Sequence, residues 1–170
     1  RKAGIPLYAL ESGDPVSDFD VVAFSLGYEM AYPAVLNMLD LAGIPLRSAD
    51  RPELTPLVMA GGTACSNPEP MAPFFDLMII GEGEEVNNEV LELFRQAQKS
   101  GWSKTQFLEA AAKIRGVLIP SFYVPHWNPD GTLHDLTPTH GAPARVTKRI
   151  IQNLDDALYP TDMIVPNTEI

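Results

Sequence analysis

The sequence predicts an α/β fold in which a mainly parallel, doubly wound sheet, incomplete at its N-terminus, carries a small β appendage. Two observations lead to this expectation. Short apolar runs alternate with amphipathic helical stretches, which is the pattern of parallel strands joined by right-handed helical crossovers. Beyond Gly116 the pattern changes to short β segments around a strong turn signal.

Three short apolar runs are expected to form the strands of the sheet. Each is bounded by turn signals, as strands covered on both faces usually are. They are Asp20–Ser25, Leu57–Ala60 and Leu77–Ile80. The last two lead into glycine-containing loops, with a short helical segment expected between them.

Apolar residues at helical spacing predict the helices. The first helix begins near Pro33, ends at Gly43 and buries Val35, Met38, Leu39 and Ala42. The second follows the GEGEE loop at Gly81–Glu85 and buries Val86, Val90, Leu93, Phe94 and Ala97. The third starts at a capping box of Ser103 and Gln106, ends at Gly116, and buries Phe107, Leu108, Ala111 and Ile114.

The last part of the chain predicts a hairpin and a connector. Asn128–Gly131 is a turn between two strands of the appendage, which also includes Val117–Ile119. Arg145–Ile151 alternates basic and apolar side chains, as a half-buried strand does. We therefore divide the chain into a partial doubly wound domain (1–115), a β-hairpin appendage (116–152) and a linker (153–170).

Composition excludes several classes of function. The net charge of −10 repels phosphate backbones, so nucleic-acid binding by this region is not expected. The basic cluster of Arg145, Lys148 and Arg149 reads as a solvated strand face. Apolar runs are too short to span a bilayer, so we expect no membrane partner and a cytoplasmic location. Cys65 is the single cysteine, which excludes a cluster held by several thiolates of this chain.

Candidate binding residues collect where the predicted strands end. Helix N-termini and loop N–H groups converge at the carboxyl edge of a parallel sheet, where such folds bind ligands. The glycines equally suit tight turns, and acidic residues at a helix start suit the helix dipole. No catalytic or metal-binding residue is predicted. The candidates for cofactor binding are Ser25, Leu26, Gly27, Tyr28, Glu29, Gly61, Gly62, Thr63, Glu69, Gly81, Glu82, Gly83 and Glu84.

Four segments together resemble a known family. They are FSLGYE at 24–29, VLNMLDLAGIPL at 35–46, GGTACSNPEPMAPFFD at 61–76 and GEGEE at 81–85. They look like the N-terminal region of cobalamin-binding-type radical S-adenosylmethionine (radical SAM) proteins, in an uncharacterised Fe–S oxidoreductase branch. The connector at 153–170 resembles the segment that this family places before its radical barrel.

The resemblance implies a flavodoxin-like, cobalamin-binding-domain-like fold followed by a downstream radical SAM barrel in the same polypeptide. In the family that barrel holds a 4Fe–4S cluster and S-adenosylmethionine through a Cys-x-x-x-Cys-x-x-Cys motif, which this sequence lacks. The fragment itself is therefore expected not to be catalytic. The family's cobalamin contacts map approximately to Ser25-Leu26-Gly27 and to Gly61-Gly62. The Asp-x-His-x-x-Gly cobalt-ligand motif is absent.

Three hypotheses follow from the sequence. The chain is the N-terminal cofactor-binding or substrate-gating domain of a radical SAM enzyme, with cobalamin as one possible cofactor. Alternatively, it is a structural docking module that packs on the barrel without binding cobalamin. The third possibility is a stand-alone flavodoxin-like protein that binds a nucleotide or flavin. The sequence identifies neither the substrate nor the reaction of the parent enzyme.

Overall fold

A computed structural model describes residues 4–157, which form an α/β fold with two sheets. The larger sheet has the order β1-β2-β3-β4, from β1 (Val21–Ser25), β2 (Leu57–Gly61), β3 (Leu77–Ile79) and β4 (Val117–Leu118). Its helices are α1 (Tyr32–Ala42), α2 (Val86–Ser100) and α3 (Lys104–Ala111). The smaller sheet is a hairpin of β5 (Tyr123–Trp127) and β6 (Leu133–Pro138). The predicted incomplete flavodoxin-like α/β class agrees with this architecture.

The register of the sheet brings the predicted loops to one edge. β1 and β2 are parallel and paired from Val21 with Leu57 to Ser25 with Gly61. β3 is parallel to β2, and β4 runs antiparallel to β3. The carboxyl ends of β1, β2 and β3 therefore share one edge, as the strand predictions require.

Two apolar clusters cover the two faces of the sheet. Because side chains alternate along a strand, Leu57 and Met59 of β2 face α2 and α3, whereas Val58 and Ala60 face the cluster that contains α1. All four β2 side chains are buried. A strand apolar at every position is thus explained by burial on both sides.

The helices follow the predicted periodicity with small differences. α1 ends at Gly43, which adopts a left-handed φ of 71°. Val35, Leu39 and Ala42 of the predicted stripe are buried. Met38, also predicted to be buried, is 41% exposed, so that part of the prediction is wrong. The capping box of Ser103 and Gln106 is present in α3. That helix ends at Ala111, so the prediction that Gly116 terminates it is wrong.

The later β segments differ from the prediction in two ways. Val117–Leu118, expected in the appendage, joins the larger sheet because the apolar Val117 packs in the main core. Arg145–Ile151 is not a strand; it contributes a single bridge, between Arg149 and Gly81. The hairpin turn at Asn128–Gly131 is confirmed. In the connector, a 3-10 turn spans Leu154–Asp156, and residues 158–170 lie outside the described part of the chain.

No helix in the part of the chain that the structure describes is both long enough and apolar enough to cross a bilayer.

A buried carboxylate, Asp76, connects several elements immediately before β3. Its Oδ1 accepts hydrogen bonds from Arg51 Nη2 at 2.9 Å and Lys104 Nζ at 2.8 Å. The Ser48 hydroxyl also donates to Oδ1, and the Val58 N–H donates to Oδ2 at 2.8 Å. The side chain of Asp76 is fully buried. This one group therefore joins β2, α3 and the 48–51 segment.

Replacing Asp76 by Asn removes the negative charge and leaves two buried cations without their counter-ion. We expect Asp76→Asn to lower the free energy of unfolding by about 3–5 kcal/mol, the usual cost of breaking a buried ion pair. Urea unfolding followed by circular dichroism measures it. Asp50→Asn, at an exposed position of the same segment, is the matched control. Equal small losses in both variants would show that the buried network does not stabilise the fold.

Candidate functional site

Two of the predicted binding loops touch each other at the carboxyl edge of the sheet. The Leu26 N–H donates to the Gly61 carbonyl at 2.7 Å, and the Ala64 N–H donates to the Leu26 carbonyl at 3.0 Å. The Thr63 hydroxyl donates to the Gly27 carbonyl at 2.6 Å. The structure therefore brings the Ser25–Gly27 and Gly61–Thr63 loops together.

This contact supplies a structural reason for Gly62. A Cβ atom on Gly62 would lie 2.6 Å from the Leu26 carbonyl oxygen, and its φ of 105° is unfavourable for other residues. Gly61 is different, since its nearest neighbour would be Ile79 Cβ at 3.8 Å. The chain itself, through Leu26, occupies the space that Gly62 leaves open.

The third predicted loop, Gly81–Glu84, is held by a later segment of the chain, residues 148–151, which we call the strap. The Arg149 N–H donates to the Ile80 carbonyl at 2.9 Å, and the Glu82 N–H donates to the Arg149 carbonyl at 3.2 Å. The Glu82 carboxylate accepts the Ile151 N–H. A Cβ on Gly81 would lie 2.2 Å from the Arg149 carbonyl oxygen. Gly81 and Glu82 thus bind a segment of their own chain.

The Arg149 side chain secures the strap to the start of α2. Its Nη2 donates to Glu85 Oε2 at 2.6 Å and to Glu89 Oε1 at 2.5 Å. The hydrogen bonds that Arg149 donates to the carboxylates of Glu85, the larger effect, and Glu89 raise the pKa of Arg149 above its ordinary value. The side chain is only 17% exposed, so the expectation of a solvated basic face is wrong for Arg149.

The remaining predicted residues at this edge are more open. Tyr28 is 60% exposed, and Gly27, Glu29 and Glu84 are also exposed. Gly83 packs beside α2, where a Cβ on it would lie 2.9 Å from the side-chain nitrogen Nδ2 of Asn87. None of these residues is among those that line the cleft described next.

A cleft of about 930 Å³ lies elsewhere on the protein. Ile80 and Leu118, both half-buried, contribute the sheet face on which α1 packs. The β2–β3 connection and the hairpin residues Tyr123 and Pro125 also line the cleft. Of the predicted binding residues, Glu69 alone lines it.

The cleft is also lined by cations that the sequence analysis missed: Arg47, Arg51 and Lys104. Arg51 and Lys104 belong to the buried Asp76 network. One signal pointed to that network, because Asp76 interrupts the apolar run FFDLMII, and a carboxylate in such a run needs a buried partner. The cations that serve as its partners lie far from Asp76 along the chain, so the sequence does not identify them.

Cys65 lines the cleft, but its side chain is buried and its thiol is expected to be unreactive. Burial raises the pKa of its thiol to about 11. A thiol with so high a pKa carries little thiolate near neutral pH, so it is neither a good nucleophile nor a good metal ligand. Within residues 4–157, no three His, Cys, Asp or Glu side chains are grouped as a metal site would require.

Cys65 should react slowly with Ellman's reagent in the folded protein. Because the thiol pKa rises from 9.0 to about 11, we expect a roughly hundred-fold smaller thiolate fraction at neutral pH. The labelling rate should rise about tenfold per pH unit up to that pKa. The unfolded chain in concentrated urea is the control and should react at once. Equal rates in the folded and unfolded chain would contradict the burial of Cys65.

Gly81→Ala should weaken the strap. The added Cβ meets the Arg149 carbonyl, so we expect the free energy of unfolding to fall by about 1–3 kcal/mol more than in Gly131→Ala. Gly131 is the matched control because its φ is also positive, +83°, while no atom lies within 4 Å of an added Cβ. Urea unfolding of both variants gives the difference. Equal losses would mean that contact with the strap is not what requires Gly81.

Comparison with known proteins places the chain in a family. Residues 1–120 match the family profile described as radical SAM proteins, N-terminal. Neither the search of curated proteins nor that of solved structures gave a match. Since the family match covers more than half of the 170 residues, this chain belongs to the radical SAM protein family, whose N-terminal region it represents.

Proposed function

We propose that this chain is the N-terminal ligand-binding domain of a radical SAM enzyme, where it holds a cofactor or the substrate beside a downstream barrel of the same polypeptide. The observation that carries the proposal is the cleft of about 930 Å³. A volume of that size suits a small organic ligand, and its mixture of apolar surface with a few polar groups is typical of such sites.

Catalysis is assigned to the barrel and not to this domain. In radical SAM enzymes, the 4Fe–4S cluster and S-adenosylmethionine would supply the radical when bound to the barrel. The single cysteine of this chain does not provide the three thiolates that such a cluster takes. The domain's own residues bind and orient: the sheet residues Ile80 and Leu118 offer apolar contact, and Glu69 offers a carboxylate at the lining of the cleft.

Cobalamin fits the described residues less well than a smaller ligand does. The residues that would hold its nucleotide tail are Ser25–Gly27 and Gly61–Gly62. The Leu26 carbonyl already faces Gly62, and the Thr63 hydroxyl is bonded to Gly27. None of the histidines belongs to these loops, so the loops offer no imidazole for cobalt. We therefore favour the cleft over the glycine loops as the ligand site.

A second candidate function is docking on the barrel. Met30 lies in the 3-10 turn that follows β1, and Tyr28 precedes that turn; their side chains are 82% and 60% exposed. Large apolar side chains so exposed at the carboxyl edge of the sheet are typical of residues that another domain covers. In this version the exposed edge, and not the cleft, is the functional surface. A stand-alone nucleotide- or flavin-binding role is less favoured by the family membership.

Blocking the cleft separates the candidates. The parent protein would be purified anaerobically as wild type, as Ser66→Trp, which adds a ring at the cleft, and as Tyr28→Glu, which alters the exposed edge. Native mass spectrometry and visible absorbance would measure retained small molecules, with hydroxocobalamin and flavin mononucleotide added as defined probes. Ser100→Trp, at an exposed position outside the cleft, is the matched control.

We expect Ser66→Trp to reduce ligand retention by about tenfold or more, because a ring added at the lining of the cleft competes with the ligand for the same space. Tyr28→Glu and Ser100→Trp should retain the ligand. Loss in Tyr28→Glu alone, together with detachment of the domain in limited proteolysis, would favour docking instead. Cobalamin retained equally by Ser66→Trp and wild type would place the cofactor at the glycine loops and overturn our assignment.

A further inference from the structure

We propose that the cleft recognises an anionic group, a phosphate or a carboxylate, on a small ligand with an apolar or aromatic body. The recognising surface is formed by Arg47, Arg51 and Lys104, which we call the cationic corner. This inference rests on the proposed function, in that it names the class of ligand that the cleft holds.

The first argument is the local charge. Asp76 is the shared counter-ion of Arg51 and Lys104, whose side chains are 3% and 9% exposed. Two positive charges against one negative charge leave a surplus of one positive charge in a nearly buried position. Such a surplus is costly unless a further anion compensates it. Of the acidic residues, Glu69 alone is among those that line the cleft, and it is exposed.

The second argument is a donor count on Arg51. A guanidinium has five N–H donors. Nη1 donates to the carbonyls of Pro45 and Leu46, and Nη2 donates to the Phe74 carbonyl and to Asp76. These four bonds leave Nε, which is buried and has no hydrogen-bond partner within residues 4–157. A ligand oxygen that reached Nε through the lining of the cleft would accept its hydrogen bond and satisfy this donor.

The backbone carbonyls around these cations do not remove the argument. Lys104 Nζ donates to the Arg51 carbonyl at 2.5 Å and approaches the Ser48 carbonyl at 3.5 Å. Carbonyl dipoles solvate a cation but carry no net charge, so the surplus charge remains. Lys104 Nζ therefore has three acceptors, whereas the network as a whole keeps one surplus positive charge and Arg51 Nε has no acceptor among the described residues.

Arg47 adds an exposed donor to the same corner. Its guanidinium lies 5.8 Å from the centre of the Phe74 ring, and the Phe74 carbonyl accepts from Arg51. A guanidinium that lies over an aromatic ring can still donate its N–H groups to an anion. Phe74 thus contacts both arginines: its ring contacts the exposed Arg47, and its carbonyl contacts the buried Arg51.

The rest of the cleft specifies the body of the ligand. Leu118, Phe122 and Tyr123 line it together with Pro120 and Pro125. Apolar and aromatic groups of this kind contact an uncharged ring or chain. The overall charge of −10 disfavours nucleic acid and other polyanions, so the cleft suits a small molecule with one anionic group.

Three probes with the same ring test the charge requirement: phenyl phosphate, benzoate and benzyl alcohol. Each would be titrated into the full chain and followed by two-dimensional amide NMR, which locates binding as well as measuring it. We expect phenyl phosphate to bind more tightly than benzoate, and benzoate about tenfold or more tightly than benzyl alcohol, because charge-assisted hydrogen bonds are the stronger ones. The shifted amides should include those of Ser66, Thr105 and Ser121, which line the cleft.

Variants test the corner without breaking the buried network. Arg47→Gln removes the exposed guanidinium and should weaken phenyl phosphate by about tenfold. Ser66→Asp places a negative charge in the cleft and should weaken both anions, whereas Ser66→Asn, of the same shape, should not. Arg95→Gln, on the exposed surface of α2, is the matched control and should leave all affinities unchanged.

The outcomes are distinguishable. Equal binding of all three probes in the cleft would overturn the anionic inference and leave the ligand-binding function intact. Absence of binding by every probe would contradict both. Anion binding that moves amides outside the cleft, or that is as sensitive to Arg95→Gln as to Arg47→Gln, would show a nonspecific surface effect and overturn the inference.

Discussion

The fold depends on one buried carboxylate, Asp76, which stands between β2, β3, α3 and the segment that contains Arg51. A buried charge is tolerated only when its partners are held in place, so this carboxylate constrains the segments that supply them. Arg51 in turn reaches the carbonyls of Pro45, Leu46 and Phe74, which fixes the loops on both sides. These hydrogen bonds hold the irregular loops that line one side of the cleft in fixed positions relative to Asp76.

The shape of the cleft follows from uneven covering of the sheet. On one face, α2 and α3 pack against the alternate residues of β2, β3 and β4. On the other face, the cluster around α1 leaves Ile80 and Leu118 half-buried. The β2–β3 connection and the hairpin border that region without filling it. A sheet that needs two covered faces thus provides apolar surface for a ligand, and the Asp76 network brings charge beside it.

The sequence predicts features whose causes are local. The apolar period of α2, the capping box at Ser103 and the left-handed stop at Gly43 each depend on residues within a few positions. The cleft does not follow from such signals, because Asp76 meets Arg51 and Lys104 across 25 and 28 residues. Arg149 shows the same limit: its alternation with apolar residues resembles a strand, although its partners lie 60 and 64 residues away. The glycine motifs are visible in the sequence. The sequence does not show whether the chain itself or a ligand occupies the space beside them.

The strap has a mechanical consequence. Residues 148–151 are attached to the end of β3 by main-chain hydrogen bonds and to α2 by two ion pairs. A force applied to the chain after Ile151 is therefore carried by the sheet and the start of α2, and the hairpin that precedes the strap is shielded from it.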